Sequence, residues 1–262
     1  GEILDRFLKD PPFRFNISLY GGSNETYRNM CGLPAYDQVK ENIRALRKAG
    51  MDVSLNLSIT PYNKDDLPQI YRDAVDLDVN VRASSYMYPS VRVNGEQYGC
   101  GNRLSCAESA RYAVEWDQLR FTPEEFALRA EAMSRLCAID QERCSVDDEA
   151  GVSCRAGYTS FWITWDGRIL PCGMFPGDDA ENVFEVGFEK GWEHVKEAAR
   201  AIRMPPKCSV CQMRDQCKAC AAMALTETGS FDKVPEYRCQ MTHAFENASK
   251  LLEHQIRQKR RG

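Results

Sequence analysis

Nine of the twelve cysteines lie after residue 130, and seven of them form one regular arrangement. It runs Cys154-x12-Gly167-x4-Cys172, then a 35-residue gap, then Cys208-x2-Cys211-x5-Cys217-x3-Cys220, an 18-residue gap and Cys239. Thiols at this density become either disulfides or soft-metal ligands. No charged n-region with an apolar h-region opens the sequence, so the expectation is a cytoplasmic protein whose cysteines stay reduced. Thiolate softness selects zinc, copper(I) or iron–sulfur. A zinc ribbon uses two Cys-x2-Cys knuckles, and this stretch has one. Seven ligands divide into a set of four and a set of three, which suits two clusters better than complete four-cysteine zinc sites. On spacing alone iron–sulfur ranks ahead of zinc, and zinc ahead of disulfides.

The chain of 262 residues carries a net charge of −4, with 43% apolar and 27% charged residues. A mildly acidic chain argues against a nucleic-acid partner. The basic run from Arg257 to Arg261 reads as a solvated helix end. No stretch of about 18 apolar residues exists to cross a membrane.

The first half alternates strand and helix. In residues 14–20, Phe15, Ile17 and Leu19 face one way and Asn16, Ser18 and Tyr20 the other. Val39, Ile43 and Leu46 then follow a helical period that ends at Gly50. Val53, Leu55, Leu57 and Ile59 alternate with Ser54, Asn56, Ser58 and Thr60, and Val79, Val81 and Ala83 with Asn80, Arg82 and Ser84. Between these strands Asn63 is placed to cap a helix buried through Leu67, Ile70, Ala74 and Val75. Strand–helix–strand–helix–strand implies parallel strands with helical crossovers. The recurrent polar face suits the lumen of a barrel or half-barrel that holds a polar ligand, because a plain barrel core would carry Val, Ile or Leu there. An antiparallel sheet with one wet face is the alternative.

In the second half, Thr122-Pro123-Glu124-Glu125 is a capping box with proline at N1, followed by a stripe of Phe126, Met133 and Leu136. Two β-rich runs around Asp166-Gly167 read as a hairpin with a type I′ turn. Residues 189–204 read as a helix with Trp192, Val195, Ala199 and Ile202 on one side, stopped by Pro205-Pro206. A last helix carries Ala244, Phe245, Leu251 and Leu252.

The whole cysteine pattern, with Gly167 in the hairpin turn, resembles the SPASM domain of radical S-adenosylmethionine enzymes over roughly residues 140–245. The earlier segments "NISLYGGSNETYRNMCG" and "NLSITPYN" are similar to the later strands of the partial barrel in that family. The resemblance implies an α/β fold: a partial (β/α) radical-SAM-type barrel, then a Cys-rich SPASM domain with a β-hairpin and helices. The expected divisions are residues 1–95 for the barrel part, 96–138 for a connecting helical segment, 139–245 for the auxiliary iron–sulfur domain and 246–262 for the C-terminal helix end.

It also implies two auxiliary 4Fe–4S clusters with interleaved ligands. Cys208, Cys211, Cys217 and Cys239 would hold the outer cluster, and Cys154, Cys172 and Cys220 the inner one. Some members add a cysteine where this chain has Ser160, which leaves Cys144, Cys137 or an open site as the inner cluster's fourth position. Ser18 matches a position that often touches the cofactor's ribose or carboxylate, with Arg28, Asn56, Ser58 and Arg82 as weaker cofactor-binding candidates. Gly21-Gly22 reads as a tight turn at the strand end. Tyr86, Tyr88 and Arg92 are candidates for a substrate mouth, or for loop residues packed under the cysteine domain.

The Cys-x3-Cys-x2-Cys spacing that binds the radical-generating cluster is absent from these 262 residues. The expectation is therefore the C-terminal part of a longer radical SAM oxidoreductase, inactive alone, that modifies a peptide or protein side chain. S-adenosylmethionine would be its cofactor, and a flavodoxin or ferredoxin its external electron donor. Gly173 stands where sulfatase-maturating members carry an aspartate base, which argues against that subclass. A non-catalytic iron–sulfur electron-transfer or binding protein with a degenerate barrel is one rival. A zinc-stabilised binding module is another.

Overall fold

The computed structural model describes residues 2–89, 102–139, 151–152, 154–177 and 179–259. Two compact units divide the chain. One comprises Gly1–Met87, Asn102–Leu128 and Phe245–Gly262, and the other Tyr88–Gly101 and Arg129–Ala244.

Unit 1 is built on three strands, β1 (Phe15–Ser18), β2 (Val53–Ser58) and β3 (Asn80–Ser84), preceded by helix α1 (Glu2–Lys9). All pairing is parallel, in the order β1-β2-β3, so the antiparallel alternative is excluded. Helices α2 (Asn24–Cys31) and α3 (Tyr36–Lys48) join β1 to β2, and α4 (Leu67–Asp76) joins β2 to β3. Gly50 adopts φ +78° just past α3, as its C-terminal position predicts. The apolar strand face meets the helices: Leu55, Leu57, Ile43, Leu67 and Ile70 are all 1% exposed or less. Each such side chain contributes about 1.5–3 kcal/mol of burial, which fixes the register, since a one-residue slip would bring Asn56 and Ser58 inward.

Two differences from the periodic reading have physical causes. Val75 is 60% exposed, and Asp73 takes a buried place on α4. Tyr36 Oη and Lys40 Nζ both donate to the Asp73 carboxylate, and Gln69 Nε2 donates to it at 2.9 Å. This network ties α3 to α4. The second difference is that α5 (Cys106–Arg120), in the segment read as a connecting helical segment, belongs to unit 1. A complete capping box, Ser105 with Glu108, starts it. Tyr112 and Trp116 then join the core of unit 1. Its buried residues include Ser109, Ala110, Val114 and Asp117, more than one helical stripe, so no clear period shows in the sequence. Next, α6 (Pro123–Ile139) begins on the expected box, with Glu125 N donating to Thr122 Oγ1 at 3.2 Å and Thr122 N to Glu125 at 2.8 Å. Phe126 is buried, whereas the side chains of Met133, Leu136 and Cys137 lie outside what is described.

In unit 2, β4 (Trp162–Ile163) and β5 (Ile169–Leu170) form the expected antiparallel hairpin. Its turn is not type I′. Only Gly167, at φ +89°, is left-handed there, whereas type I′ needs positive φ at both central residues. Thr164 pairs with Arg168 (Thr164 N to Arg168 O, 2.9 Å), so three residues form the loop. The Thr164 hydroxyl supports it, accepting from Arg168 N at 2.9 Å and donating to Asp166. Helices α7 (Val183–Val186), α8 (Phe188–Ala201), α9 (Pro206–Ser209), α10 (Arg214–Cys217), α11 (Ala221–Thr228) and α12 (Glu236–Lys259) follow. Val195 and Ala199 of α8 are 1% exposed, while Ile202 lies just past its end. On α12, Leu251 is 61% exposed, contrary to its place in the predicted stripe. A cluster of small side chains, Val152, Ala156, Ala199 and Ala221, packs with Cys172, Phe175, Ile202 and Phe231.

Candidate functional site

The parallel register gathers the polar candidates of unit 1. Ser18 pairs with Asn56 and Asn56 with Arg82, making one row across the three strands, and Ser58 pairs with Ser84 one step further on. All five side chains are exposed on the face opposite the core. Arg28 is also exposed, but it lies on α2 and outside that row.

The loops at the C-terminal ends of β1 and β2 are held by Asn63, which does not cap a helix. The residue is 1% exposed. Its Oδ1 accepts from Thr60 N at 2.8 Å, and its Nδ2 donates to Tyr20 O at 3.0 Å and Ser58 O at 2.9 Å. A one-turn 3-10 helix, Lys64–Asp66, intervenes before α4. The Gly21-Gly22 turn is demanded by space. Neither glycine has positive φ, but a Cβ on Gly21 would come 2.3 Å from Thr26 Cγ2, and Gly22 N donates to Asp66 Oδ2 at 2.7 Å.

In unit 2 the cysteines fall into two sets. Pro205 and Pro206 start α9, which carries Cys208, and Cys211 follows one turn later with its N–H on Cys208 O at 3.3 Å. Cys217 ends α10, and Cys239 lies in the first turns of α12. Cys208, Cys211, Cys217 and Cys239 line one cavity of about 40 Å³, walled in part by Met213 and Pro235. Arg238, next to Cys239, donates to Cys217 O from both Nε (2.8 Å) and Nη2, fastening α12 to the end of α10. Burial, then the neighbouring Cys217, Cys211 and Cys239, push the Cys208 thiol up from its ordinary pKa. Cys239 is pushed up by burial, Glu236, Cys217 and Cys211.

Cys154, Cys172 and Cys220 form the second set. Burial raises the Cys172 thiol, and Cys220 and Cys154 raise it further, against a lowering from Met174 N. A bound cation would reverse such a shift. Cys154 Sγ accepts from Ala156 N and Cys172 Sγ from Met174 N, both at 3.4 Å. Ser160 is exposed, with its backbone bonded to Arg155 and Gly157. Cys144 lies outside the described residues, as do Cys100 and Arg92.

The division between the sets occurs within three residues. Lys218 caps α10 in the left-handed region, φ +48°, ψ +30°, with its N–H on Arg214 O. Cys220 then starts α11 in extended conformation, φ −125°. A lysine in this region carries about 1–2 kcal/mol of steric strain. Lys218→Gly is therefore expected to leave stability unchanged or slightly higher, and Lys218→Val to lower it by about 1–2 kcal/mol, because branching at Cβ worsens the clash. Denaturant unfolding measures both.

Among the described residues nine cysteines are free, and no group of three or more His, Cys, Asp or Glu side chains is set around a single metal ion. Sequence reasoning did not foresee Arg238, whose signal was its place beside Cys239. Of the aromatic candidates, Tyr86 is buried within unit 1, and Tyr88 belongs to unit 2, where its Oη lies 3.9 Å from Cys220 Sγ.

The α/β fold of this chain is of the radical-SAM type. Residues 1–74 match the model of the Radical SAM superfamily. Among solved structures, "Native anSMEcpe with bound AdoMet" superposes with a TM-score of 0.65 at 14% identity, covering 98% of this chain and 71% of that one. The crystal structure of Streptococcus suis SuiB gives 0.60 at 17% identity, covering 90% and 56%. In sequence, the AdoMet-dependent heme synthase of Methanosarcina barkeri is 24% identical over 246 residues, 88% of this chain and 68% of the relative. The AdoMet-dependent heme synthase of Oleidesulfovibrio alaskensis is 25% identical over 233 residues, 83% of this chain and 58% of that protein. Among the described residues no helix is long and apolar enough to cross a membrane.

Proposed function

We propose that this chain is the later-barrel and auxiliary-cluster part of a radical S-adenosylmethionine enzyme. Cys208, Cys211, Cys217 and Cys239 would hold one 4Fe–4S cluster. Cys154, Cys172 and Cys220 would hold a second, whose fourth position falls to Cys144, another group or substrate. The observation that carries this reading is a set of four cysteines lining one cavity beside a second set, in which Cys154 and Cys220 stand close enough to Cys172 to raise its thiol.

Such clusters supply one-electron chemistry at potentials set by ligands and surroundings. The exposed Ser18–Asn56–Arg82 row offers hydroxyl, amide and guanidinium groups to a polar, carboxylate-bearing cofactor, as S-adenosylmethionine is. The radical-generating cluster would lie on residues beyond these 262, and the chain alone would be inactive. A flavodoxin or ferredoxin would reduce the whole enzyme in the cytoplasm.

Two substrate classes stand. The SPASM resemblance implies a peptide or protein side chain. The relatives matching 83–88% of this chain are heme synthases, which favours a tetrapyrrole. Anaerobic reconstitution with iron and sulfide tests the cluster reading, with an expected result of brown protein carrying about eight irons per chain. Colourless protein with stoichiometric zinc overturns it. With the whole enzyme, S-adenosylmethionine cleavage stimulated by a porphyrin and not by peptides selects the tetrapyrrole, and the reverse selects the peptide.

A further inference from the structure

We propose that Tyr88 is a tuning residue of the inner cysteine set, its phenol O–H donating a hydrogen bond to the Cys220 sulfur. This rests on the reading that Cys154, Cys172 and Cys220 hold an iron–sulfur cluster. Tyr88 Oη stands 3.9 Å from Cys220 Sγ, within the reach of a hydrogen bond to sulfur, across a sequence separation of 132 residues. The set shows a pattern into which this contact fits. Cys154 receives the N–H of Ala156, and Cys172 that of Met174, each from two residues further along the chain. Cys220 starts α11, and the Tyr88 hydroxyl, from a distant segment, stands where the corresponding donor would be; a metal-bound Cys220 has no proton to give, so the phenol is the donor. With Tyr88 as donor, each of the three sulfurs receives a hydrogen bond from the described residues.

The alternative role for a phenol here is as the missing fourth ligand. Geometry argues against it. Ligands on different corners of one cluster diverge from it, whereas the Tyr88 oxygen stands beside one particular sulfur. A phenol is neutral at pH 7, where its ordinary pKa is about 10, and so it keeps the proton that it donates.

Donors to cluster sulfurs draw electron density from the cluster and favour its reduced form. Tyr88→Phe removes the donor and keeps the ring, on a residue that is 37% exposed. In the full chain, reconstituted anaerobically, the variant should retain its iron. One of the two clusters should shift to a more negative midpoint potential in an EPR-monitored redox titration, while the other stays in place. Tyr158→Phe, another phenol of unit 2, should shift neither. Unchanged potentials in Tyr88→Phe overturn the proposal. So does loss of about four irons in that variant, which would make Tyr88 a ligand. If the unmutated chain carries no inner cluster, the iron count shows it before any variant is made, and both the cluster reading and this inference fail.

Discussion

Cys217→Ala and Cys220→Ala, three residues apart, are expected to lose different iron. Each variant should retain about four of about eight irons per chain, but the retained clusters should differ in EPR signal and potential. Cys217 faces the cavity shared with Cys208, Cys211 and Cys239. Cys220 is instead a neighbour of Cys172, whose thiol it pushes up together with Cys154. The left-handed Lys218 makes this possible by ending α10 at once and turning the chain before α11 begins. If all four thiols of residues 208–220 surrounded one centre, the two variants would lose the same iron and give the same residual spectrum. The double variant should carry no iron in the first case. Cys31→Ala, an exposed thiol on α2, should leave the count unchanged in both.

What the sequence disclosed and what it hid follow from the range of the interactions. The three strands and their crossover helices were legible because alternation and the 3.6-residue period are local consequences of one buried face. The cysteine spacing was legible because ligands separated by two to five residues must lie close together. The packing of α5 into unit 1 was hidden, since its buried residues surround more than one stripe. Asp73 was hidden behind Val75 because hydropathy alone cannot see that Tyr36 and Lys40 will satisfy a buried carboxylate. The hairpin turn was read from its Asp-Gly pair, and the Thr164 hydroxyl added a residue to the loop. Tyr88 was read as lining a substrate mouth or as packing under the cysteine domain, and its particular partner, Cys220, was hidden because nothing local announces that contact.

Asn63→Ala is expected to be among the most destabilising single changes in unit 1. The side chain accepts from Thr60 N and donates to the carbonyls of Tyr20 and Ser58, at 1% exposure. Truncation leaves one N–H and two carbonyls without their partner in a buried place, at about 1–3 kcal/mol each, and with less than full additivity about 3–4 kcal/mol in all. That corresponds to a fall in Tm of about 6–16 °C for a chain of this size. Asn63→Leu should cost as much, because it fills the volume without meeting the polar groups. Asn63→Asp separates the two halves of the amide. Its carboxylate could still accept from Thr60 N, but it would set negative charge against two carbonyl oxygens. The folded state would then favour the protonated acid, raising its pKa above the unfolded value. The variant's deficit relative to the unmutated chain should therefore shrink as the pH falls toward about 4 and grow as it rises to 7. A deficit independent of pH would mean that the loop had opened and let water in. The same measurement bears on function, for Tyr20 lies two residues after Ser18 and Ser58 two after Asn56. Asn63 thus holds the strand ends that present the Ser18–Asn56–Arg82 row, and, on the proposed reading of that row as a cofactor site, its loss should weaken S-adenosylmethionine binding by the whole enzyme although Asn63 belongs to no part of that row.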